Sequence, residues 1–286
     1  MRFLDRKRVL SNSRLAAAYL NGTSTPVTDV KSEFIRALNR AQSTTIKSLD
    51  SDLYLEFDNA PLVDRLVKRT VFSSEEVAKG AHIFSFGERS QMAQLVNDAK
   101  ALLSEEVPNL YYLITQIVGS VGIYRIPKRD GGSVSCNIGL IWLSPRTDWT
   151  VEYCAEMLVH EFIHNSVFLE DMVRGIMPTP ELLEKDEALS ISAIRQTRRP
   201  YDKAFHSACV AVGIMYFYHM IGRDADAQKH LNPLKRTIGD LHESDRALKL
   251  MSKDLLTRNG RLLVEELRRF ADEEPDYNSI TNALAS

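Results

Sequence analysis

The residues best suited to chemistry form a His-Glu-x-x-His pattern, His160-Glu161-Phe162-Ile163-His164, inside an apolar run. Four residues make slightly more than one helical turn, so both imidazoles project from one helix face, where they could hold one transition metal. Glu161 lies about 100° around the helix and could act as a base on metal-bound water or orient a ligand. The apolar flanks indicate a buried helix, in which three polar side chains need partners. A metal site is therefore favoured over a core helix that carries two histidines by chance.

The third ligand decides the chemistry, because two histidines rarely complete a metal site. Glu170 occupies the position that metzincin proteases use, but the glycine that turns their chain is missing. A thermolysin-like site would use a later glutamate, and the segment that supplies the candidates, Glu181, Glu184 and Glu187, is typical of a solvated acidic face. His206 is favoured, because it lies near the start of a long apolar helix that could pack beside the first. The alternative for His206 is an ordinary core histidine.

Two adjacent arginines, Arg198 and Arg199, precede the helix of His206 at the end where the helix dipole disfavours cations. One interpretation is a solvated turn. The other is a binding site for a carboxylate, because a guanidinium group can bind a carboxylate through two hydrogen bonds. Three imidazoles with a nearby arginine suit Fe(II) and an oxo-acid cosubstrate better than a hydrolytic zinc. Zinc accepts the same three ligands, so ligand type alone leaves the metal open.

The elements that must position these residues are mostly helical. Thr147, Asp148 or Thr150 is expected to begin the helix of the two histidines. Helical spacing of apolar residues predicts further helices over residues 29–46, 61–71, 90–107 and 201–221, a helix start at Ser73, and a mostly helical chain over 224–284.

The residue composition changes in the segment that precedes the helix of the two histidines. Residues 111–126 and 133–143 are rich in β-branched and aromatic side chains and flank Asp130-Gly131-Gly132, which predicts a β-hairpin. Its edge could hold an extended peptide by strand addition. The predicted fold is therefore α+β and predominantly helical, with a small antiparallel sheet or hairpin beside the metal-binding helix. Residues 1–107 are expected to be a mainly helical region and 108–286 the metal-binding catalytic region, although one continuous domain is an alternative.

Composition excludes several classes of function. Lys plus Arg number 36 and Asp plus Glu number 38, a net charge of −2, which gives no bulk electrostatic case for nucleic acid or an anionic membrane. No run approaches the roughly 20 apolar residues that span a bilayer. The three cysteines are far apart and odd in number, and the first residues are charged, so a cytoplasmic protein is expected.

Four stretches, taken together, carry a family resemblance. They are Gly139-Leu140-Ile141-Trp142-Leu143-Ser144-Pro145, Leu158-Val159-His160-Glu161-Phe162-Ile163-His164-Asn165, Arg199-Pro200 with Phe205-His206-Ser207-Ala208, and Leu256-Thr257-x-x-Gly260-Arg261-x-Leu263-x-x-x-Leu267. In this order they resemble the 2-oxoglutarate-dependent His-Glu-x-x-His-type peptide β-hydroxylases of peptide natural-product pathways. The likeness spans about residues 134–270, roughly half of the chain.

The resemblance implies iron held by His160, His164 and His206. It also implies 2-oxoglutarate as cosubstrate, with its distal carboxylate bound by Arg199 or, in another register, by Arg198. Two departures concern the substrate pocket. They are Phe162, where the family often has a small residue, and Ser207, where it has a glycine.

The expected activity is hydroxylation of an unactivated carbon, a β-carbon of an amino acid or peptide residue, coupled to decarboxylation of 2-oxoglutarate. Glu161 would then orient water, substrate or a histidine rather than bind iron. The rival is a zinc-dependent metallopeptidase in which Glu161 is the general base and the metal polarises the scissile carbonyl. A third reading is a metal-stabilised scaffold that binds a peptide without turnover. The substrate's identity and the oligomeric state are not encoded in any pattern of the sequence.

Overall fold

Helices form most of the structure, and a small sheet lies among them, so the predicted α+β, predominantly helical fold class is confirmed. A computed structural model describes residues 1–22, 30–68, 70–272 and 274–286. The helices are α1 (Arg6–Asn21), α2 (Val30–Gln42), α3 (Ala60–Lys68), α4 (Ser74–Ala78), α5 (Phe86–Glu106), α6 (Pro108–Ile117), α7 (Val151–Arg174), α8 (Tyr201–Met220), α9 (Asp224–Lys229), α10 (Leu231–Leu250), α11 (Arg258–Asp272) and α12 (Tyr277–Ala285). The strands are β1 (Tyr54–Glu56), β2 (Ser120–Ile123), β3 (Gly131–Gly132), β4 (Leu140–Leu143), β5 (Ser190–Ile191) and β6 (Arg198–Arg199).

The chain divides into two compact units. Unit 1 consists of residues 1–12 and 166–286, and unit 2 of residues 13–165. The segments 1–107 and 108–286 of the sequence analysis each contribute residues to both units. No helix in the described ranges is long and apolar enough to cross a membrane.

The predicted helices are present, and local capping explains where they begin. Helix α5 starts at Phe86 rather than at residue 90, because the Glu88 carboxylate accepts a hydrogen bond from the Ser85 backbone N–H. Helix α4 starts after Ser73 as predicted, with Ser73 and Glu76 forming a capping box. Helix α2 ends at Gln42, earlier than predicted, and its expected first residue, Asp29, lies outside the described residues.

The four-stranded sheet of unit 2 has the order β1-β2-β4-β3, with β1, β2 and β4 parallel and β3 antiparallel to β4. Strands β2 and β4 are buried along their whole length. Strands covered on both faces are commonly apolar throughout, as β4 is, whereas β2 also contains Ser120 and Gly122.

The prediction of a β-hairpin around Asp130-Gly131-Gly132 is wrong. Pro108 occupies the first turn of α6, where its missing N–H costs nothing, so the apolar residues that follow it continue as a helix. Strand β2 pairs with β4 in parallel, and the two glycines form the edge strand β3 instead of a turn. A separate antiparallel pair, β5 with β6, lies in unit 1.

Helix α7 lies beside this sheet, as predicted. It begins at Val151, where the Thr150 hydroxyl accepts a hydrogen bond from the Tyr153 backbone N–H at 3.1 Å. The backbone N–H of Gly139, just before β4, donates to the Asn165 side-chain oxygen at 2.8 Å. The sheet is therefore fixed against the helix segment that carries the His-Glu-x-x-His pattern.

Unit 1 is built around α8, which is buried over nearly its whole length. A helix that is apolar all round belongs in the middle of a core, and α8 packs against α9, α10, α11 and α12. The short β5–β6 pair leads directly into α8, with Ser190 opposite Arg199.

Candidate metal centre

His160 and His164 form a pair on α7 in unit 2. Their ring centroids lie 5.1 Å apart with an interplanar angle of 57°. The side chain of His160 is 18% exposed, so the pair lies at a partly accessible surface rather than in the centre of the core. This is the arrangement expected for two imidazoles that supply two ligands to one metal ion.

Glu161 is buried beside the pair. Its Oε1 lies 3.9 Å from His160 Nε2, and its Oε2 accepts a hydrogen bond from the Ser133 hydroxyl at 2.8 Å. Burial raises the pKa of Glu161 to about 8, although the Ser133 hydrogen bond acts in the opposite direction. A bound cation would lower this pKa again by Coulomb attraction. Sequence reasoning missed Ser133, whose only signal was its place directly after the two glycines.

His206 lies in unit 1, in the second turn of α8, and is 9% exposed. Its ring packs against the ring of Phe168 with centroids 4.6 Å apart and against Phe205 at 6.2 Å. Burial lowers the pKa of His206 to about 4, with Asp202 acting in the opposite direction. His206 is therefore a neutral imidazole at physiological pH, which is the form that binds metals.

Arg199 and Arg198 are adjacent on β6 in unit 1, but their surroundings differ. Arg198 is exposed and donates a hydrogen bond from Nη2 to the Leu189 carbonyl at 2.7 Å. The Arg199 side chain is half-buried, and within the described ranges no hydrogen bond or ion pair engages its guanidinium. Burial and the neighbouring Arg195 lower the pKa of Arg199. The donors of this guanidinium are geometrically suited to a carboxylate or another anion.

The glutamates considered as a third ligand have other environments. Glu170 is 1% exposed, and its carboxylate accepts hydrogen bonds from Arg8, Asn12 and Asn259. Burial alone would raise the pKa of Glu170, but these donors outweigh burial and the pKa is lowered. A metal at Glu170 would have to displace them. The remaining candidates, Glu181, Glu184 and Glu187, are exposed.

Within the part of the chain that the structure describes, no group of three or more His, Cys, Asp or Glu side chains is arranged to hold a metal ion. The geometry thus brings together His160 and His164, and the third ligand remains a prediction. No protein-family model matches this chain, and a comparison with curated proteins gives no match either.

Proposed function

We propose that this chain is an Fe(II)- and 2-oxoglutarate-dependent oxygenase that hydroxylates an unactivated carbon, a β-carbon, of an amino acid or peptide residue in natural-product biosynthesis. The observation that carries the proposal is the half-buried guanidinium of Arg199, which makes no hydrogen bond or ion pair within the described residues and belongs to the same unit as His206. An oxo-acid cosubstrate brings a distal carboxylate that such a guanidinium binds. A hydrolytic zinc site has no need of that carboxylate.

The proposed ligands are His160, His164 and His206. The first two present their rings from one helix face, and the third is held neutral by burial. Three imidazole donors fit Fe(II), which commonly takes nitrogen and oxygen ligands in proteins. When bound, Fe(II) with 2-oxoglutarate and oxygen would supply the oxidising chemistry that yields succinate, CO2 and the alcohol.

The surrounding residues position the reactants. Arg199 binds the distal carboxylate of 2-oxoglutarate and thereby fixes the direction in which the cosubstrate enters. Phe168 and Phe205 cover the ring of His206 and exclude water from it. Glu161, whose carboxylate accepts a hydrogen bond from Ser133 and lies 3.9 Å from His160, orients water, substrate or the imidazole of His160.

The rival proposal, a zinc metallopeptidase, has one observation in its favour, because Glu161 adjoins His160 as a general base would. Glu161→Gln separates the two proposals. Removal of the carboxylate should abolish peptide hydrolysis, because the metal-bound water loses its base. We expect the variant to keep measurable succinate formation from 2-oxoglutarate, since no iron ligand is lost. Loss of succinate formation to the level of His160→Ala would contradict the role given to Glu161.

The direct test of the proposal is 2-oxoglutarate affinity, measured by anaerobic calorimetry on the iron-loaded protein. Arg199→Ala should weaken binding about 10- to 100-fold, which corresponds to the loss of charge-assisted hydrogen bonds. The matched control is Arg198→Ala, because this neighbour already donates to a backbone carbonyl. It should change the affinity less than about threefold. Equal affinity in wild type and Arg199→Ala would overturn the assignment of Arg199.

A further inference from the structure

The hydroxyl of Ser207 connects the second turn of α8 to the segment between β5 and β6. It accepts a hydrogen bond from the Ala193 backbone N–H at 2.8 Å and donates one to the Ala204 carbonyl at 2.7 Å. Ser207 and Ala193 are both buried. A buried N–H without an acceptor destabilises a fold. Glycine and alanine have no side-chain acceptor, so the Ala193 N–H depends on the serine at position 207.

Residues 190–199, called here the β5–β6 hairpin, are attached to α10 through the first strand. The hydroxyl oxygens of Ser190 and Ser244 are buried and lie 3.0 Å apart. The Ile191 backbone N–H donates a hydrogen bond to the Asp240 carboxylate at 2.9 Å. These contacts fix the first strand of the hairpin, and the hydrogen bond to α8 fixes the turn that follows it.

Two arginines of this hairpin, Arg195 and Arg199, interact through their like charges. Burial lowers the pKa of Arg199 and repulsion by Arg195 lowers it further, whereas Asp202 acts in the opposite direction. In the ranges that the structure describes, neither guanidinium donates a hydrogen bond or joins an ion pair. Like charges repel, so the backbone of the hairpin has to hold the two side chains near each other. A bound carboxylate would relieve this repulsion, and the hairpin is therefore arranged for an anion before the anion binds.

Ser207 directly follows His206 on α8, and both belong to unit 1 together with the β5–β6 hairpin. The hydrogen bond between Ala193 and Ser207 therefore fixes the turn of the hairpin against the helical turn that carries a proposed metal ligand. A cosubstrate bound at the metal by one end and at Arg199 by the other requires a fixed separation of the two groups. An error of about 1 Å in such a separation is costly.

We propose that Ser207 is a positioning residue, which holds the β5–β6 hairpin at the separation from His206 at which Arg199 binds the distal carboxylate of 2-oxoglutarate. The inference rests on the proposed function for the identity of that carboxylate. Ser207 stands where the resembling family has a glycine, so this hydrogen bond is a property of the present chain and is not implied by the resemblance.

The first test is the affinity for 2-oxoglutarate, measured by anaerobic calorimetry on the iron-loaded protein. Ser207→Ala and Ser207→Gly both remove the hydroxyl, and each should weaken binding about 3- to 10-fold. The matched control is Thr237→Ala, which removes another buried hydroxyl of unit 1, one that donates to the Pro233 carbonyl within α10. It should leave the affinity within about twofold of wild type. Wild-type affinity in both Ser207 variants would overturn the inference.

A double-mutant cycle shows whether the effect of Ser207 passes through Arg199. Without the guanidinium, the position of the hairpin no longer matters for the carboxylate. In the Arg199→Ala background, Ser207→Ala should therefore change the affinity less than about twofold. An equal loss in both backgrounds would show a general structural effect and would contradict the positioning role.

Turnover separates positioning from a partial loss of folded protein. Succinate formation by Ser207→Ala should require a 2-oxoglutarate concentration about 3- to 10-fold higher for half-maximal rate, with kcat within about twofold of wild type. A lower kcat at an unchanged KM would mean fewer active molecules, and would reject the positioning role.

Hydrogen exchange measured by mass spectrometry tests the anchor itself, in protein without metal or 2-oxoglutarate. Exchange in the peptide that covers residues 190–199 should be faster in Ser207→Ala than in wild type, because the Ala193 N–H loses its acceptor. Thr237→Ala should leave exchange in that peptide unchanged. Equal exchange in wild type and Ser207→Ala would show that the hydroxyl does not hold the hairpin.

Failure of this inference and failure of the proposed function give different results. A wild type that binds no 2-oxoglutarate would reject the proposed function and this role of Ser207 with it. Binding that Arg199→Ala weakens and Ser207→Ala leaves unchanged would keep the proposed function and reject the role of Ser207 alone.

Discussion

Two buried carboxyl groups on α7 show how strongly the partners of a residue decide its chemistry. Glu161 has one hydroxyl partner, Ser133, and burial raises its pKa to about 8. Glu170 is equally buried, but a guanidinium and two amides donate to it, and its pKa is lowered. Desolvation therefore dominates at the first residue and charge-assisted hydrogen bonding at the second. Of the two, Glu161 is the carboxyl group without a cationic hydrogen-bond donor.

The lowered pKa of Glu170 predicts a pH-dependent contribution to stability. A carboxyl whose folded pKa is depressed stabilises the fold above its unfolded pKa, roughly 4.3 for glutamate. That contribution is lost as pH falls through the lower folded pKa. At pH 7, Glu170→Gln should lower the free energy of unfolding by about 1–3 kcal/mol, since the charge opposite Arg8 is removed.

Urea unfolding of wild type and Glu170→Gln at a series of pH values measures this difference. It should shrink as pH falls below about 4.3 toward the lower folded pKa, because the unfolded chain binds a proton there that the folded carboxylate does not. A difference that stays constant over this range would show that the ionised form of Glu170 contributes nothing.

At the residue scale, the spacing of residues along a helix could be read from the sequence. The hydrogen-bond partners of the buried carboxylates could not. The i, i+4 histidines share a helix face because of helix geometry alone, so His160 and His164 could be predicted from the sequence. Ser133 is 28 residues from Glu161 along the chain. Arg8 is 162 residues from Glu170. No local pattern encodes partners at such separations, and both were missed.

Among the elements, helices were easier to predict than strand pairing. Caps such as Ser73 with Glu76 are local and mark where a helix begins. Pairing of β2 with β4 depends on distant segments, so two strand-like runs around a glycine pair gave a hairpin prediction that the parallel register contradicts. The apolar content of the two runs indicated that each contains a strand, whereas the order in which the strands pair could not be predicted from it.

The docking of α11 gives an element-scale prediction. A Cβ on Gly260 would lie 2.6 Å from the Ile176 carbonyl oxygen, just beyond the end of α7. That oxygen already accepts a hydrogen bond from the Thr257 backbone N–H at 2.9 Å. Gly260→Ala must therefore push α11 away from a backbone atom, and we expect it to lower the free energy of unfolding by about 1–3 kcal/mol.

The matched control for this prediction is Gly239→Ala, in the interior of α10, where a Cβ meets nothing within 4 Å. Alanine is the better helix former, so this variant should be stabilised by up to about 1 kcal/mol. Thermal or urea unfolding of both variants provides the comparison. If both changed stability in the same direction, close backbone approach would not be the reason for glycine at position 260.

At the scale of the whole molecule, the fold class could be predicted, whereas the long-range contacts of the chain's first residues could not. Helical periodicity and a few strand-like runs suffice to indicate a predominantly helical α+β protein. The first twelve residues belong to unit 1 through contacts such as Arg2 with Glu266 and the Phe3 carbonyl with the Ser166 hydroxyl. These pairs are separated by 264 and 163 residues, so no local pattern of the sequence indicates them.

The measurement that tests the central claim most directly is an anaerobic titration of the metal-free protein with Fe(II) and 2-oxoglutarate. The readout is the visible charge-transfer absorption of the iron–2-oxoglutarate chelate. We predict that the band forms in the wild type and is absent in His206→Ala. In Arg199→Ala it should be weaker at equal 2-oxoglutarate and recover at higher concentration. An account based on Fe(II) and 2-oxoglutarate would be contradicted by a wild type that forms no band and retains tightly bound zinc through purification.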